Sequence, residues 1–342
     1  MSDPQKDTFY LGVDGGATKT HVIIGDDQGN MLSEVITRGS NIHNVSIETA
    51  GNQIVTAIKQ AQLQMYRKHR SHIPEHIHFT VSCLGLSGLD TASDRIRIKS
   101  FFRQYFNHDP KPLHVGTLII VNDGYIGLRS ATTSNRGICL IAGTGSNCYG
   151  LNEMGDQAIA GDWGYLLGDE GSAFALGQKM LRVVIKEYDG RKVTSIVSQK
   201  VLDYLELETV EELINWSYQK TVPVEAIARV SRLLNDPELI QLPLVRGMVA
   251  ETIEALLAAY KAVIKQLTIN SDEQLPVVLI GGLFSHKKLI LQPIKHHLKK
   301  ITPHALIKAP KQSPAHGAVR VASIYGKERL VMTKEAVILN GK

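Results

Sequence analysis

The residues best suited to chemistry in this sequence gather beside glycine-rich turns that follow short apolar runs. From Gly137 to Ser172 an apolar run, Ile138 to Ala142, leads into Gly143-Thr144-Gly145-Ser146-Asn147. Trp163 and the adjacent carboxylates Asp169 and Glu170 follow. Glycines at a strand end let backbone N–H groups approach a phosphate closely. A tryptophan flanked by small and polar residues, with carboxylates nearby, suits a sugar ring. Together these types point to phosphoryl transfer onto a sugar. Three other strand ends carry similar groups. Asp14-Gly15-Gly16-Ala17-Thr18-Lys19-Thr20 follows Phe9 to Val13, Asn122-Asp123 follows Leu118 to Val121, and Gly281-Gly282 follows Val277 to Ile280.

The common nucleotide and nucleophile motifs are absent. No GxxxxGK[ST] occurs, which excludes a P-loop. Gly143-x-Gly145 meets Cys148 where a dinucleotide fingerprint needs glycine. Gly85-Leu86-Ser87-Gly88-Leu89 misses the nucleophile elbow at its last position, so Ser87 reads as a loop residue. His69, His72, His76 and His78 lack matched carboxylates or cysteines and read as a solvated connection.

The elements that must position these residues alternate in type. Phe9–Val13, His21–Gly25 and Met31–Ile36 read as a strand meander with a glycine-rich first turn. Ser46 to about His69 has helical apolar spacing, as does Arg95–Phe106, with a strand at His78–Leu84 between them. Shifting the chain by 129 residues lays Asp14-Gly15-Gly16 over Gly143-Thr144-Gly145, and both copies run strand, glycine-rich turn, strand, polar turn. This repeat of pattern predicts two similar α/β domains that each present a hairpin to one cleft. The expected units are 1–131 and 132–325, with a helical insertion at about 173–270 in the second. A tail, 326–342, is expected to pack back on the first. Within the insertion the spacing predicts helices at Phe174–Lys186, Val201–Trp216, Val224–Leu234 and Leu244–Leu267. Beyond it come a strand at Val277–Ile280, an amphipathic helix at Lys287–Lys299, a short strand at Leu306–Ile307 and a helix from Gly317.

Composition limits the partners. With 342 residues, 43% hydrophobic and 21% charged, the chain fits a two-domain globular protein. The apolar runs are of strand length, so no membrane span is expected. The opening MSDPQKDTFY has no apolar core of a leader, which predicts a protein that is not exported. Cys83, Cys139 and Cys148 sit in or beside apolar runs without metal spacing, as reduced thiols of a cytoplasmic protein would. The net charge of +5 is spread without an aromatic-interleaved basic stripe, so no nucleic-acid partner is expected.

The set Gly12-Val13-Asp14-Gly15-Gly16-Ala17-Thr18-Lys19-Thr20, Asn122-Asp123, Gly143-Thr144-Gly145-Ser146-Asn147, Trp163-Gly164 and Gly168-Asp169-Glu170-Gly171-Ser172 resembles the actin-like ATPase/sugar kinase superfamily. Within it, the likeness is to the N-acetylglucosamine kinase branch of the BadF/BadG/BcrA/BcrD ATPases. The resemblance implies two actin-like (ribonuclease H-like) α/β domains with a nucleotide and sugar cleft between them. It implies an ATP- and Mg²⁺-dependent kinase of the 6-hydroxyl of N-acetylglucosamine, and a homodimer. By the same likeness, Asp14, Gly15, Gly16, Thr18 and Lys19 hold phosphate from one side, with Asp14 orienting Mg²⁺ through water. Thr144 and Gly145 hold it from the other side, and Gly281, Gly282 and Ser285 border the adenosine. Asp123 takes the hydroxyl proton, unless it is only a helix cap. Asn41, Ser146, Asn147, Asp162, Trp163, Gly164 and Asp169 contact the sugar; for Trp163 ordinary core is the other reading. Glu170 is either a site residue or the cap of the helix near Ser172.

Three positions depart from the family pattern: Ala17 for a glycine, Gly124 for an alanine, and Asp162 for the glycine ahead of the tryptophan. If Asp162 faces the sugar, it repels the lactyl carboxylate of N-acetylmuramic acid by roughly 2–3 kcal/mol at about 6 Å and an effective dielectric near 20. The same charge attracts the ammonium of glucosamine. If Asp162 faces solvent, neither effect applies. Glucosamine kinase and dual N-acetylmuramate/N-acetylglucosamine kinase are therefore the neighbouring readings. A more distant one is the ATPase activator of a radical dehydratase, which needs an iron–sulfur cluster between subunits. A sugar-sensing regulator would need a DNA-binding module, for which the eight residues ahead of Phe9 leave no room.

Overall fold

The computed structural model describes residues 8–68, 77–110, 112–218, 224–270, 274–325 and 330–340. His69, His72 and His76 lie outside them. The chain opens with a meander, β1 (Phe9–Gly15), β2 (Lys19–Asp26) and β3 (Met31–Arg38). Next come α1 (Ile47–Lys68), β4 (His78–Leu86), α2 (Ala92–His108), β5 (His114–Asn122) and α3 (Asp123–Arg129). A second meander, β6 (Gly137–Ala142), β7 (Ser146–Leu151) and β8 (Gln157–Gly161), is followed by the one-turn α4 (Gly164–Leu167). Helices α5 (Ala173–Tyr188), α6 (Ile196–Leu205), α7 (Val210–Ser217), α8 (Val224–Val230) and α9 (Pro243–Gln266) form the insertion. The described chain closes with β9 (Leu275–Ile280), α10 (Gln292–Ile301), β10 (Ala305–Lys308), α11 (Pro314–Ile324) and β11 (Val337–Asn340).

The strands make two sheets, ordered β11-β5-β4-β1-β2-β3 and β10-β9-β6-β7-β8. In each, the first meander strand pairs antiparallel with the second and parallel with the next strand beyond the helices, β1 with β4 and β6 with β9. The run β3-β2-β1-β4-β5 is thus repeated as β8-β7-β6-β9-β10. The repeat read from the pattern is a repeat of topology.

Three predicted helices differ in the structure, and one of them, Val224–Leu234, is α-helical only to Val230 and tightens to a 3-10 turn over Ser231–Asn235. The expected Val201–Trp216 helix breaks at Glu206, which adopts the left-handed conformation (φ 56°), and Thr209 caps a new helix by accepting from the Glu212 N–H. Lys287–Leu291 is wound more widely than the α-helix that follows it. Apolar periodicity registers neither of the last two events, because buried apolar residues recur on both sides of each, Leu202 and Leu213 about the first and Ile290 and Ile294 about the second.

The last helix also sits elsewhere than its sequence neighbours. Helix α11 packs on β1, β2, β4 and α3, so it lies on the first sheet although the 132–325 grouping joined it to the second. Its apolar face could cover either sheet; on the first, Gly12 lets it approach closely. A Cβ there would stand 2.5 Å from both the Ala315 carbonyl oxygen and the Val319 nitrogen. Beyond α11 the chain stays with the same sheet, where β11 pairs antiparallel with β5 from Val337 opposite Ile120 to Asn340 opposite Thr117.

Three clusters make the core. One joins the first sheet to α1 and α2, and another joins the second sheet to the insertion helices. The third lies between the sheets. It combines Tyr10 and Cys83 from the first, Cys139 and Tyr149 from the second, Tyr125 of α3 and Ala318 of α11. Among the described residues no helix is long and apolar enough to cross a membrane.

The contact between β1 and α11 yields a direct test. Gly12→Ala must push α11 off the sheet, and overpacking of this kind costs about 2–3 kcal/mol. The expected result is a lower denaturant midpoint; an unchanged midpoint would show that α11 is not seated against Gly12.

Candidate functional site

The two glycine hairpins, one between β1 and β2 and one between β6 and β7, open on a single cavity of about 410 Å³ between the sheets. That volume is within the range of small-molecule sites. Each turn is closed by its own backbone, Gly16 N–H to the Lys19 carbonyl (3.0 Å) and Gly143 N–H to the Gly145 carbonyl (2.9 Å). Across the cleft the hairpins touch, with the Thr18 and Thr144 hydroxyl oxygens 3.2 Å apart. Asp14, Gly16, Thr18 and Lys19 line this end from the first sheet, and Thr144, Gly145 and Gly281 line it from the second. Gly281 needs to be glycine twice over: its φ is +121°, and a Cβ would stand 2.2 Å from the Ala142 carbonyl oxygen.

Three of the expected phosphate or adenosine residues do not line the cavity. Gly15 is inside β1, where a Cβ would meet Leu86 and Ser40 at 2.8 Å, so its role is close packing. Gly282 and Ser285 form a separate turn in which the Ser285 hydroxyl donates to the Gly282 carbonyl at 2.7 Å.

At the other end the cavity is lined by Asn41, Asp123, Ser146, Asn147, Asp162, Trp163, Gly164 and Asp169. Asp123 begins α3 but does not cap it. Asn122 is the cap, accepting from the Gly124 N–H at 2.8 Å. The Asp123 Oδ1 is buried with no hydrogen-bond partner. Burial first, then the charges of Asp162 and Asp14, lift its pKa well above the usual carboxylate range, against the Gly124 N–H and Asn147. Asp14 is pushed up to about 6 by burial, with Lys19 opposing. Asp169 is also pushed up to about 6 by burial, opposed by the Ser146 N–H that donates to it at 2.9 Å.

The open readings resolve on geometry. Trp163 is 66% exposed, at the cavity rim and not in a core. Glu170 is exposed, and the cap of α5 is Ser172, which accepts from the Ala175 N–H. Asn41 is held by two bonds, its amide to the Ser87 hydroxyl at 3.0 Å and its oxygen from the His43 N–H at 2.8 Å. Asp162 turns into the cleft, where its carboxylate accepts from the Asn122 amide at 3.3 Å.

One carboxylate of this group was not foreseen from the sequence. The same Asn122 amide donates to Asp90 at 3.2 Å, and Asp90 also lines the cavity. Burial, then the charge of Asp162, lifts Asp90 well above the usual carboxylate range. Its sequence signal was the neighbouring Thr91-x-x-Asp94 capping box, which fixes where α2 starts and so where the residue before it must stand. The cysteines take no part. Cys83, Cys139 and Cys148 are free and buried, and burial pushes all three thiols up.

Known proteins share this architecture. A solved structure from Chromobacterium violaceum, provisionally assigned as an N-acetylglucosamine kinase, superposes with a TM-score of 0.70 at 24% identity over 92% of this chain and 99% of its own, a likeness of fold. The N-acetylmuramic acid/N-acetylglucosamine kinase of Clostridium acetobutylicum is 28% identical over 314 residues, 92% of this chain and 98% of the relative. The N-acetyl-D-glucosamine kinase of Dictyostelium discoideum is 29% identical over 320 residues, 92% and 97% of the two chains. Residues 11–322 match one family model along both sheets and the cleft between them, and the chain belongs to the BadF/BadG/BcrA/BcrD ATPase family.

Proposed function

We propose that this protein transfers the terminal phosphoryl group of ATP to the 6-hydroxyl of N-acetylglucosamine, giving N-acetylglucosamine 6-phosphate and ADP. The observation that carries the reading is Asp123. It is a buried carboxylate with one unpartnered oxygen, in the same cleft as both glycine hairpins. The relatives named for kinase activity on this sugar support the choice of acceptor.

Phosphoryl transfer depends on positioning and on neutralising charge, with little covalent work for the protein. Thr18, Lys19 and the backbone of Gly16 would hold the phosphates from one side, and Thr144 with Gly145 from the other. Gly281 leaves the space beside them open for the nucleoside. A sugar hydroxyl is a poor nucleophile, and Asp123 would accept its proton as the bond to phosphorus forms. Its raised pKa makes the ionised group a stronger base. Ser146, Asn147, Asp169 and Asn41 supply hydrogen-bonding groups for the sugar, and Trp163 an apolar rim.

Among the described residues no group of three metal-ligating side chains could hold an ion by itself. Mg²⁺ needs only one or two carboxylates when phosphate oxygens and water complete its shell. Asp14 fits that use, as the carboxylate that would orient an ion arriving with the nucleotide. The ion would supply charge neutralisation on the phosphate oxygens.

Replacing Asp123 with Asn tests the role of the base. Turnover, followed by ADP release, is expected to fall at least about a hundredfold while calorimetry still detects sugar binding. A rate near that of the unaltered protein removes Asp123 from the role.

Asp14 gives a pH test. Its folded pKa, about 6, is above the unfolded value, so ionisation disfavours the folded state. The contribution of Asp14 to stability without nucleotide is full below pH 4 and falls as pH rises through 6, by about 3 kcal/mol. Asp14→Asn should lose turnover yet be more stable than the unaltered chain at pH 7, with that advantage gone at pH 4. Equal advantages at both pH values would refute the assignment.

A further inference from the structure

We infer that Asp90 and Asp162 act together as a charge filter in the acceptor end of the cleft, admitting neutral or ammonium-bearing amino sugars and refusing acceptors that carry a carboxylate. The inference rests on the proposed kinase reading and specifies which amino sugars it serves.

The two residues come from opposite sides of the cleft, Asp90 from the loop after β4 and Asp162 from the turn after β8. A single donor, the Asn122 amide, reaches both, at 3.2 and 3.3 Å. Among the described residues, Asp162 has no ion pair, and Asp90 has only the half-exposed His43 imidazole at 3.7 Å. Asp162 also holds a backbone conformation that favours glycine (φ 67°), between Gly161 (φ 87°) and Gly164 (φ 73°). Strain of this kind, kept at a cleft where glycine would relieve it, marks a side chain with a task there.

An independent observation concerns the hydrogen-bonding character of the wall. Asn147 is 5% exposed and its Oδ1 has no hydrogen-bond partner; the Asp123 Oδ1 and Asp90 Oδ2 are likewise buried atoms without one. All three residues line the cavity. The polar end therefore presents acceptors in need of donors. Hydroxyls, amide N–H groups and an ammonium supply donors, whereas a carboxylate supplies only more acceptors and a like charge. At about 6 Å and an effective dielectric near 20, the repulsion corresponds to roughly a hundredfold in affinity.

The test is ADP release by the full chain with ATP and, in turn, N-acetylglucosamine, glucosamine and N-acetylmuramic acid. The unaltered protein is expected to favour N-acetylglucosamine over the carboxylate-bearing sugar by about a hundredfold in kcat/KM. Asp162→Asn removes the charge and keeps a side chain that tolerates the left-handed turn. It should narrow that ratio at least about tenfold, chiefly through KM, and weaken glucosamine relative to its acetylated form. The double variant Asp90→Asn/Asp162→Asn leaves the pair no charge at any pH and should narrow it at least as far, and it decides the matter together with the unaltered ratio if the first variant does not fold. Equal use of neutral and carboxylate-bearing sugars by the unaltered protein, or an unchanged ratio in both folded variants, overturns the filter. Should no sugar release ADP, the kinase reading is what fails. Calorimetric binding of the same three sugars then decides the filter, which is sunk if the carboxylate-bearing one binds as tightly as the others.

Discussion

Carboxylates of like charge held together away from water are the constraint on which this structure turns. Asp14, Asp90, Asp123 and Asp169 line one cleft, and burial is the first cause that lifts each above the usual carboxylate range. Such a cluster disfavours folding, so what offsets it must be found elsewhere. Locally there is the Lys19 ammonium for Asp14, the Gly124 N–H for Asp123 and the Ser146 N–H for Asp169. The larger share comes from the three apolar clusters around and between the sheets. A site that tolerates strain and charge needs a rigid surround, and here the surround is the repeated sheet.

Placement of Asp123 shows how the constraint passes through the fold. Helix α3 contacts β6, β7 and β9 of the second sheet as well as β4, β5 and α11 on the first side. Tyr125 and Arg129 on this helix are fully buried. The Arg129 guanidinium donates to the Ser134 and Val331 carbonyls at 2.5 and 2.8 Å and lies over the Tyr125 ring. The segment leading to β11 is thereby fastened to the helix that starts with Asp123. An aspartate on a helix fixed at both faces has few alternative positions, as preorganised catalysis requires.

Much of this was legible because it follows from local rules. Apolar runs ending in glycine turns marked both hairpins, and their recurrence at one spacing gave the two-sheet architecture. Phosphate-binding candidates in those turns were brought together, except where glycine served packing, as at Gly15. What the sequence did not disclose was tertiary choice. Nothing in Pro314–Ile324 says which sheet its apolar face will cover, and the close approach that Gly12 allows involves a residue far away in the chain. Asp90 lay in an unremarkable loop because its significance depends on Asn122 and Asp162, which are remote in sequence. The orientation of Asp162 was undecidable for the same reason: a left-handed turn directs it inward, and Asp-Trp-Gly permits more than one turn.

The cleft is bridged at both ends, and the strength of the bridges bears on how it works. At the phosphate end the Thr18 and Thr144 hydroxyls meet; at the sugar end the Asn122 amide meets Asp162. A hydrogen bond of this sort contributes about 1 kcal/mol net, somewhat more when one partner is charged. Two of them are weak beside the apolar cluster between the sheets, which combines residues from both sheets with α3 and α11. The hairpins are thus held to each other by little, while the cluster between the sheets holds the two halves together. Both bridges use groups that the proposed reading assigns to ligands, Thr18 and Thr144 to phosphate and Asp162 to the sugar. On that reading, ligands would replace the bridges with bonds of their own, at the cost of only two weak hydrogen bonds.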